Sequence, residues 1–127
     1  AAFTQRDGSY VLEPERLGQA HADCLREYID VLADRDDCSA SVLLVVDNTN
    51  ASGSELAPYI AVARAFGVEP RIEAFVCVTD GDAERCFARA KHGAPLHAVQ
   101  RQAASLRALL AEWPPFWPPV AAREVEP

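Results

Sequence analysis

The chain has 127 residues, of which 50% are hydrophobic and 24% are charged, so it has the composition of a globular protein and not of a disordered one. Its formal net charge of -7 at pH 7 argues against general coating of nucleic acid and against a membrane-surface role. The sequence shows neither a signal-peptide pattern nor an apolar run long enough to span a bilayer, so we expect a cytoplasmic protein with no membrane partner.

The first predicted elements are a loop over residues 1–11 and a helix that begins at Pro14. Proline and acidic residues in the first turn are typical of a helix start. A stripe with helical spacing then predicts one buried helix face. It is formed by Leu17, His21, Cys24, Leu25, Tyr28, Val31 and Leu32. We interpret His21 as a packing residue of this face, and the charged run at 34–37 as the end of the helix.

The aliphatic run at 42–46 predicts a buried parallel strand, and four small polar residues follow it directly. Ligands of open α/β sheets bind beyond the carboxyl ends of such strands. We therefore predict that Asp47, Asn48, Thr49 and Asn50 lie at a nucleotide or phosphate site. The alternative is that Asp47 only forms a turn and that the other three only form hydrogen bonds at the entry to the next helix.

Four further elements follow from local signals. Ser52 and Glu55 form a capping-box pattern at the start of a helix, and Gly67 is placed to end it. Residues 71–78 predict a second strand, and Thr79 or Asp80 caps a third helix that runs to Lys91. A fourth helix is predicted from Pro95 to residue 110. The proline-rich stretch at 113–119 excludes helix and central strand, so we divide the chain into a domain at 1–112 and a Pro-rich tail at 113–127.

The order of these elements predicts an α/β fold with a parallel sheet and flanking helices. Only two strands are convincing, and two strands could hardly cover the faces of four helices. The chain contains no methionine, even at position 1. We therefore expect that one or more N-terminal strands precede Ala1.

Basic residues are concentrated in one segment. Residues 85–107 carry five basic and no acidic side chains, which leaves seven basic against nineteen acidic residues elsewhere. A local basic segment on an acidic protein suits a small polyanion such as a nucleotide, although a solvated helix face would explain it equally. The basic residues are Arg85, Arg89, Lys91, Arg101 and Arg107.

The cysteines and histidines do not form a metal-binding pattern. The four cysteines include no Cys-x-x-Cys pair that would form a zinc site together with the histidines. We interpret Cys24 and Cys77 as small core residues, which fits a reducing compartment.

Five motifs in this order resemble the polynucleotide-kinase-like branch of the P-loop kinases, an AAA-like ATP-binding family. The resemblance covers roughly residues 1–110, and each motif alone has little specificity. The motifs are Asp7-Gly8-Ser9-Tyr10, Leu17-Gly18-Gln19-Ala20-His21, Val45-Val46-Asp47-Asn48-Thr49-Asn50, Glu55-Leu56-Ala57-Pro58-Tyr59 and Arg89-Ala90-Lys91-His92-Gly93-Ala94-Pro95.

The resemblance implies a P-loop NTPase-like fold that binds ATP and Mg²⁺ and transfers a phosphoryl group to a hydroxyl, such as a polynucleotide 5′ end. Asp47 matches the residue that holds Mg²⁺ through water, and Asn48, Thr49 and Asn50 would line the same cleft. Residues 80–96 match the lid, in which Arg89 would meet the transferred phosphoryl group. Arg85, Lys91 and His92 would support nucleotide binding there.

One family element is absent from this sequence. No Gly-x-x-x-x-Gly-Lys-Ser/Thr loop occurs in the 127 residues. The resemblance implies that this Walker A loop and the catalytic base lie before Ala1, so that the activity requires a longer chain.

Two other functions fit parts of the sequence. A non-catalytic kinase-like module could bind partners through the proline-rich tail, because such segments are ready ligands for aromatic grooves. A haloacid-dehalogenase-like phosphatase also has a strand that ends in aspartate, but it needs a second acid two residues later, where Thr49 stands.

Overall fold

The computed structural model describes residues 6–9, 11, 13–34, 42–91 and 93–126. This part of the chain is a mixed α/β structure with four helices and a two-stranded parallel sheet. None of its helices combines the length and the apolar character that crossing a bilayer requires. The elements are α1 (Leu17–Asp34, after a 3₁₀ turn at Pro14–Arg16), α2 (Gly53–Ala65), β1 (Ile72–Val76), α3 (Asp80–Arg89), α4 (Leu96–Ala111) and β2 (Val120–Glu124).

The helix ends follow the local signals of the sequence. The N–H and hydroxyl of Ser52 donate to the Glu55 carboxylate at 3.1 and 3.0 Å, so the predicted capping box begins α2. Gly67 follows α2 with φ +72°, a conformation that glycine adopts without steric cost. Pro95 is the N-cap of α4, and α3 ends at Arg89, two residues before the predicted end at Lys91.

The capping residues of α3 form a small network. The Thr79 N–H donates to the Asp82 carboxylate at 2.7 Å, and the Asp82 N–H donates to the Thr79 hydroxyl at 3.2 Å. Arg85 also donates to this carboxylate. The N–H of Thr79, then its hydroxyl and the Arg85 charge, hold the pKa of Asp82 below its ordinary value. The start of α3 is thus fixed by its own side chains.

The sheet joins two segments that are distant in sequence. β1 and β2 pair in parallel, with Ile72 opposite Val120 and Val76 opposite Glu124, and α3 and α4 form the connection. The strand β1 confirms the strand predicted at 71–78. The strand β2 was not predicted, because four of its five residues are exposed and no apolar alternation marks it.

The proline-rich stretch before β2 contains no helix or strand, as predicted, but it is packed and not free. The Trp113 indole N–H donates to the Pro118 carbonyl at 2.9 Å, and Pro118 is fully buried. The Trp113 and Trp117 rings meet edge to face at 5.3 Å between centroids. This packing leads the chain into β2.

The predicted buried strand at 42–46 is wrong. No strand is assigned there, and the side chains of Leu43 and Val45 are 88% and 68% exposed. Only Leu44 and Val46 pack inward, against a buried cluster of α1 and α2. A strand requires backbone partners, and among the described residues β1 pairs with β2 and nothing pairs with 42–46.

Two clusters of buried side chains lie in the core of the described residues. One joins α1 and α2 through Tyr28, Leu32, Tyr59 and Ala63. The other joins the end of β1, α3 and α4, and its members are Cys77, Ala83 and Ala103 with Cys86, Val99 and Val125 packed against them. The Ser105 hydroxyl donates to the Ala51 carbonyl at 2.9 Å and so links α4 to the start of α2.

The capping network predicts a measurable loss on truncation. Thr79→Ala removes the hydroxyl that accepts from the Asp82 N–H, so we expect the free energy of unfolding to fall by about 1 kcal/mol. Thr79→Ser keeps that hydroxyl and should retain most of the stability. Urea unfolding of both variants checks this, and equal losses in the two would contradict it.

Candidate functional site

The turn that follows residues 42–46 is anchored by one side chain. The Asn48 amide Nδ2 donates to the Tyr59 hydroxyl at 3.1 Å and to the Cys24 Sγ at 3.3 Å. Cys24 lies on α1 and Tyr59 on α2. Asn48 therefore points into the interface between these helices.

The acceptor of this contact is itself held firmly. The Tyr28 hydroxyl donates to the Tyr59 carbonyl at 3.2 Å, and the two rings meet edge to face with centroids 5.1 Å apart. Burial, followed by the contact with Cys24, raises the pKa of Tyr59 to about 12. The Tyr59 hydroxyl is thus protonated at neutral pH. Its oxygen accepts the hydrogen bond from the Asn48 amide.

The two neighbours of Asn48 are more exposed to solvent than Asn48 itself. Asp47 and Thr49 are exposed, and neither side chain makes a hydrogen bond or ion pair within the described part of the chain. Asn50 has φ +40°, a left-handed conformation in which asparagine is enriched among non-glycine residues. Together with the Ser105 contact to Ala51, these features fix the backbone of the turn and leave its polar side chains available.

Two open grooves lie beside this turn. Asn50 lines one of about 220 Å³ together with His21 and Pro58. Asp47 lines the other, of about 310 Å³, together with Glu27 and Val31 of α1. Their volumes are at or below the lower end of the range for small-molecule pockets, so neither groove would enclose a nucleotide by itself.

The basic residues of the predicted lid lie on another part of the structure. Arg85 pairs with Asp82 near the start of α3, and the Arg89 Nη1 donates to the Glu126 carbonyl at 3.1 Å. Lys91 is exposed, and His92 lies outside the described residues. Neither groove beside the turn is lined by a residue of this group.

The family resemblance implies a Mg²⁺ ion, and the side chains at the turn can be compared with the ligands that this ion requires. In the described residues, no group of three or more His, Cys, Asp or Glu side chains could hold a metal ion. Mg²⁺ usually keeps several waters and binds through one or two carboxylates and the substrate phosphates. The exposed Asp47 carboxylate fits such water-mediated binding.

Sequence analysis missed the residues that support the turn. The sequence pattern places Cys24 on an apolar helix face and gives neither Tyr59 nor Ser105 a role at the turn. A half-buried asparagine amide requires hydrogen-bond partners. In the sequence, the only sign of such a role is that Asn48 lies shortly before the start of a helix. The identity of those partners depends on how α1, α2 and α4 pack.

In comparisons with known proteins, no family model matches the chain, and no curated protein or solved structure matches it significantly.

The difference between the hydrogen-bonded Asn48 and the exposed Thr49 gives a paired prediction. Asn48→Ala leaves the Tyr59 hydroxyl without its amide donor, and we expect it to lower the free energy of unfolding by about 1 kcal/mol. Thr49→Ala changes an exposed side chain and should alter it by less than about 0.5 kcal/mol. Urea denaturation measures both, and similar losses in the two variants would show that Asn48 is not the anchor.

Proposed function

We propose that this chain is the distal part of an ATP-dependent phosphotransferase with a P-loop NTPase-like fold. It would transfer the γ-phosphoryl group of ATP to a hydroxyl, such as a polynucleotide 5′ end. The observation that supports this best is the anchored turn, in which Asn48 is fixed while the neighbouring Asp47 carboxylate stays exposed in front of α2.

Phosphoryl transfer requires positioning and charge stabilisation from a protein. Asp47 would hold Mg²⁺ through its water shell, and the contacts of the turn would keep this carboxylate in place. Mg²⁺, when bound, would supply the charge neutralisation for the phosphate oxygens. Thr49 and Asn50 offer a hydroxyl and an amide that orient the acceptor from the same turn.

The positive charge of the reaction would come from α3 and the residues after it, which line neither groove beside the turn and would have to close over the nucleotide as a lid. Arg89 meets the phosphoryl oxygens, for which a guanidinium fork is well suited. Arg89 is exposed, and the Glu126 carbonyl that its Nη1 contacts belongs to an exposed residue. Arg85, Lys91 and His92 add to the positive potential around the nucleotide.

Exposed aliphatic and aromatic side chains support the proposal that the active protein is longer. Val42, Leu43 and Val45 are 61%, 88% and 68% exposed, and Phe75 on β1 is 62% exposed. A surface that other polypeptide covers in the longer protein would leave such apolar side chains exposed in this part of the chain. We propose that the preceding segment provides the phosphate loop, the catalytic base and the missing strands.

The alternative, a non-catalytic module that binds partners through the proline-rich stretch, has less support. Pro118 is buried, and the Arg64 guanidinium donates to the Phe116 carbonyl at 2.6 Å. A segment held in this way is not free to enter an aromatic groove as an extended ligand.

The role of Arg89 is tested in the protein that includes the phosphate loop. Because the arginine stabilises charge that develops in the transition state, Arg89→Ala should lower the turnover of γ-labelled ATP at least roughly tenfold. Transfer of label from ATP to a polynucleotide with a free 5′ hydroxyl is measured at saturating nucleotide.

Arg71→Ala is the matched control, since Arg71 is an exposed arginine whose ion pair with Glu73 lies on the surface. It should leave turnover unchanged. Thermal unfolding of both variants is measured alongside, because Arg89 also contacts the Glu126 carbonyl. Unchanged turnover in Arg89→Ala, or a loss that merely follows the folded fraction, would remove Arg89 from the mechanism.

A further inference from the structure

Two cysteine sulfurs meet where β1 gives way to α3. The Sγ atoms of Cys77 and Cys86 are 3.6 Å apart, although the residues are nine positions apart in sequence. Cys77 directly follows β1, and Cys86 lies in the second half of α3. Both are free thiols at contact distance, and their sulfurs are only about 1.5 Å farther apart than the disulfide bond length of about 2.05 Å.

The two thiols differ in their access to solvent. Cys77 is 8% exposed in the cluster with Ala83 and Ala103, while Cys86 is half-buried at the edge of that cluster. Burial, followed by the contact with Cys86, raises the pKa of Cys77 to about 11. Because Cys86 is the more exposed of the two thiols, an oxidant reaches it first. The buried Cys77 thiol reacts in the second step.

We propose that Cys77 and Cys86 are a reversible oxidation site, at which a peroxide converts the two thiols into a disulfide that ties α3 to the end of β1. The Cys86 thiolate attacks one peroxide oxygen, breaks the O–O bond and becomes a sulfenic acid, with hydroxide leaving. The Cys77 sulfur then attacks the Cys86 sulfur, and the S–S bond forms as water leaves. Two thiols lose two electrons, and the peroxide gains them.

The bond would act on a defined part of the fold. It would close a loop over residues 77–86 that contains the capping network of Thr79, Asp82 and Arg85. The start of α3 would then be fixed covalently to β1 as well as by its hydrogen bonds. This inference does not depend on the proposed phosphotransferase, since its test requires no nucleotide.

Cys24 provides an internal comparison. It is half-buried like Cys86, but its Sγ accepts from the Asn48 amide and lies beside Tyr59. No second thiol contacts it within the described residues. Exposure alone should therefore not make Cys24 form a disulfide.

Peptide mapping tests the site directly, because Arg85 lies between the two cysteines. The folded chain is treated with hydrogen peroxide, blocked with N-ethylmaleimide in denaturant and cut with trypsin. We expect the peptides 72–85 and 86–89 to be linked, the number of maleimide labels to fall from four to two, and dithiothreitol to separate the peptides. Cys86→Ser should abolish the link, and Cys24→Ser should keep it.

Several outcomes would overturn the proposal. They are maleimide on both Cys77 and Cys86 after oxidation, a sulfinic acid on Cys86 without a link, or a link from either residue to Cys24 or Cys38. A link that forms equally fast in urea would show that the fold does not direct it. The mapping of the wild-type chain decides the question even if a serine variant fails to fold.

Discussion

The hydrogen bonds of the Asn48 amide connect the candidate site to the rest of the molecule. One short side chain reaches both Cys24 on α1 and Tyr59 on α2, and Tyr59 is fixed in turn through its carbonyl by Tyr28. A polar group at a helix interface is costly to leave without partners, so these contacts select one conformation of the turn. Asp47 and Thr49, on either side of Asn48, are exposed.

This constraint explains how an irregular segment can hold the Asp47 carboxylate, for which we propose the Mg²⁺ role. Residues 42–46 have no strand partner in the part of the chain that the structure describes, so they do not hold the turn as a sheet would. The helices hold it instead, through Asn48 on one side and through the Ser105 contact with Ala51 on the other. The proposed Mg²⁺ site therefore depends on the packing of α1, α2 and α4.

The sequence predicts local features of this fold well and pairing between distant segments poorly. The starts of α2, α3 and α4 follow from Ser52, Thr79 and Pro95, because a helix end is decided by residues within one turn. The two strand errors have another cause. A strand is predicted wrongly at 42–46, and β2 is not predicted, because a strand forms only where a distant segment pairs with it. The position of the polar turn was predicted, but the inward direction of Asn48 depends on Tyr59, which the helix packing brings to it. The roles assigned to Asp47 and Arg89 stay predictions.

The measurement that tests the central claim most directly is the coding sequence immediately upstream of Ala1. A phosphotransferase needs a phosphate-binding loop, and none occurs in the 127 residues. The account predicts a Gly-x-x-x-x-Gly-Lys-Ser/Thr motif in that upstream frame, at a junction from strand to helix. A start codon directly before Ala1, or an upstream segment without that loop, would contradict the proposed phosphotransferase. The alternative of a non-catalytic module that binds a partner would then remain.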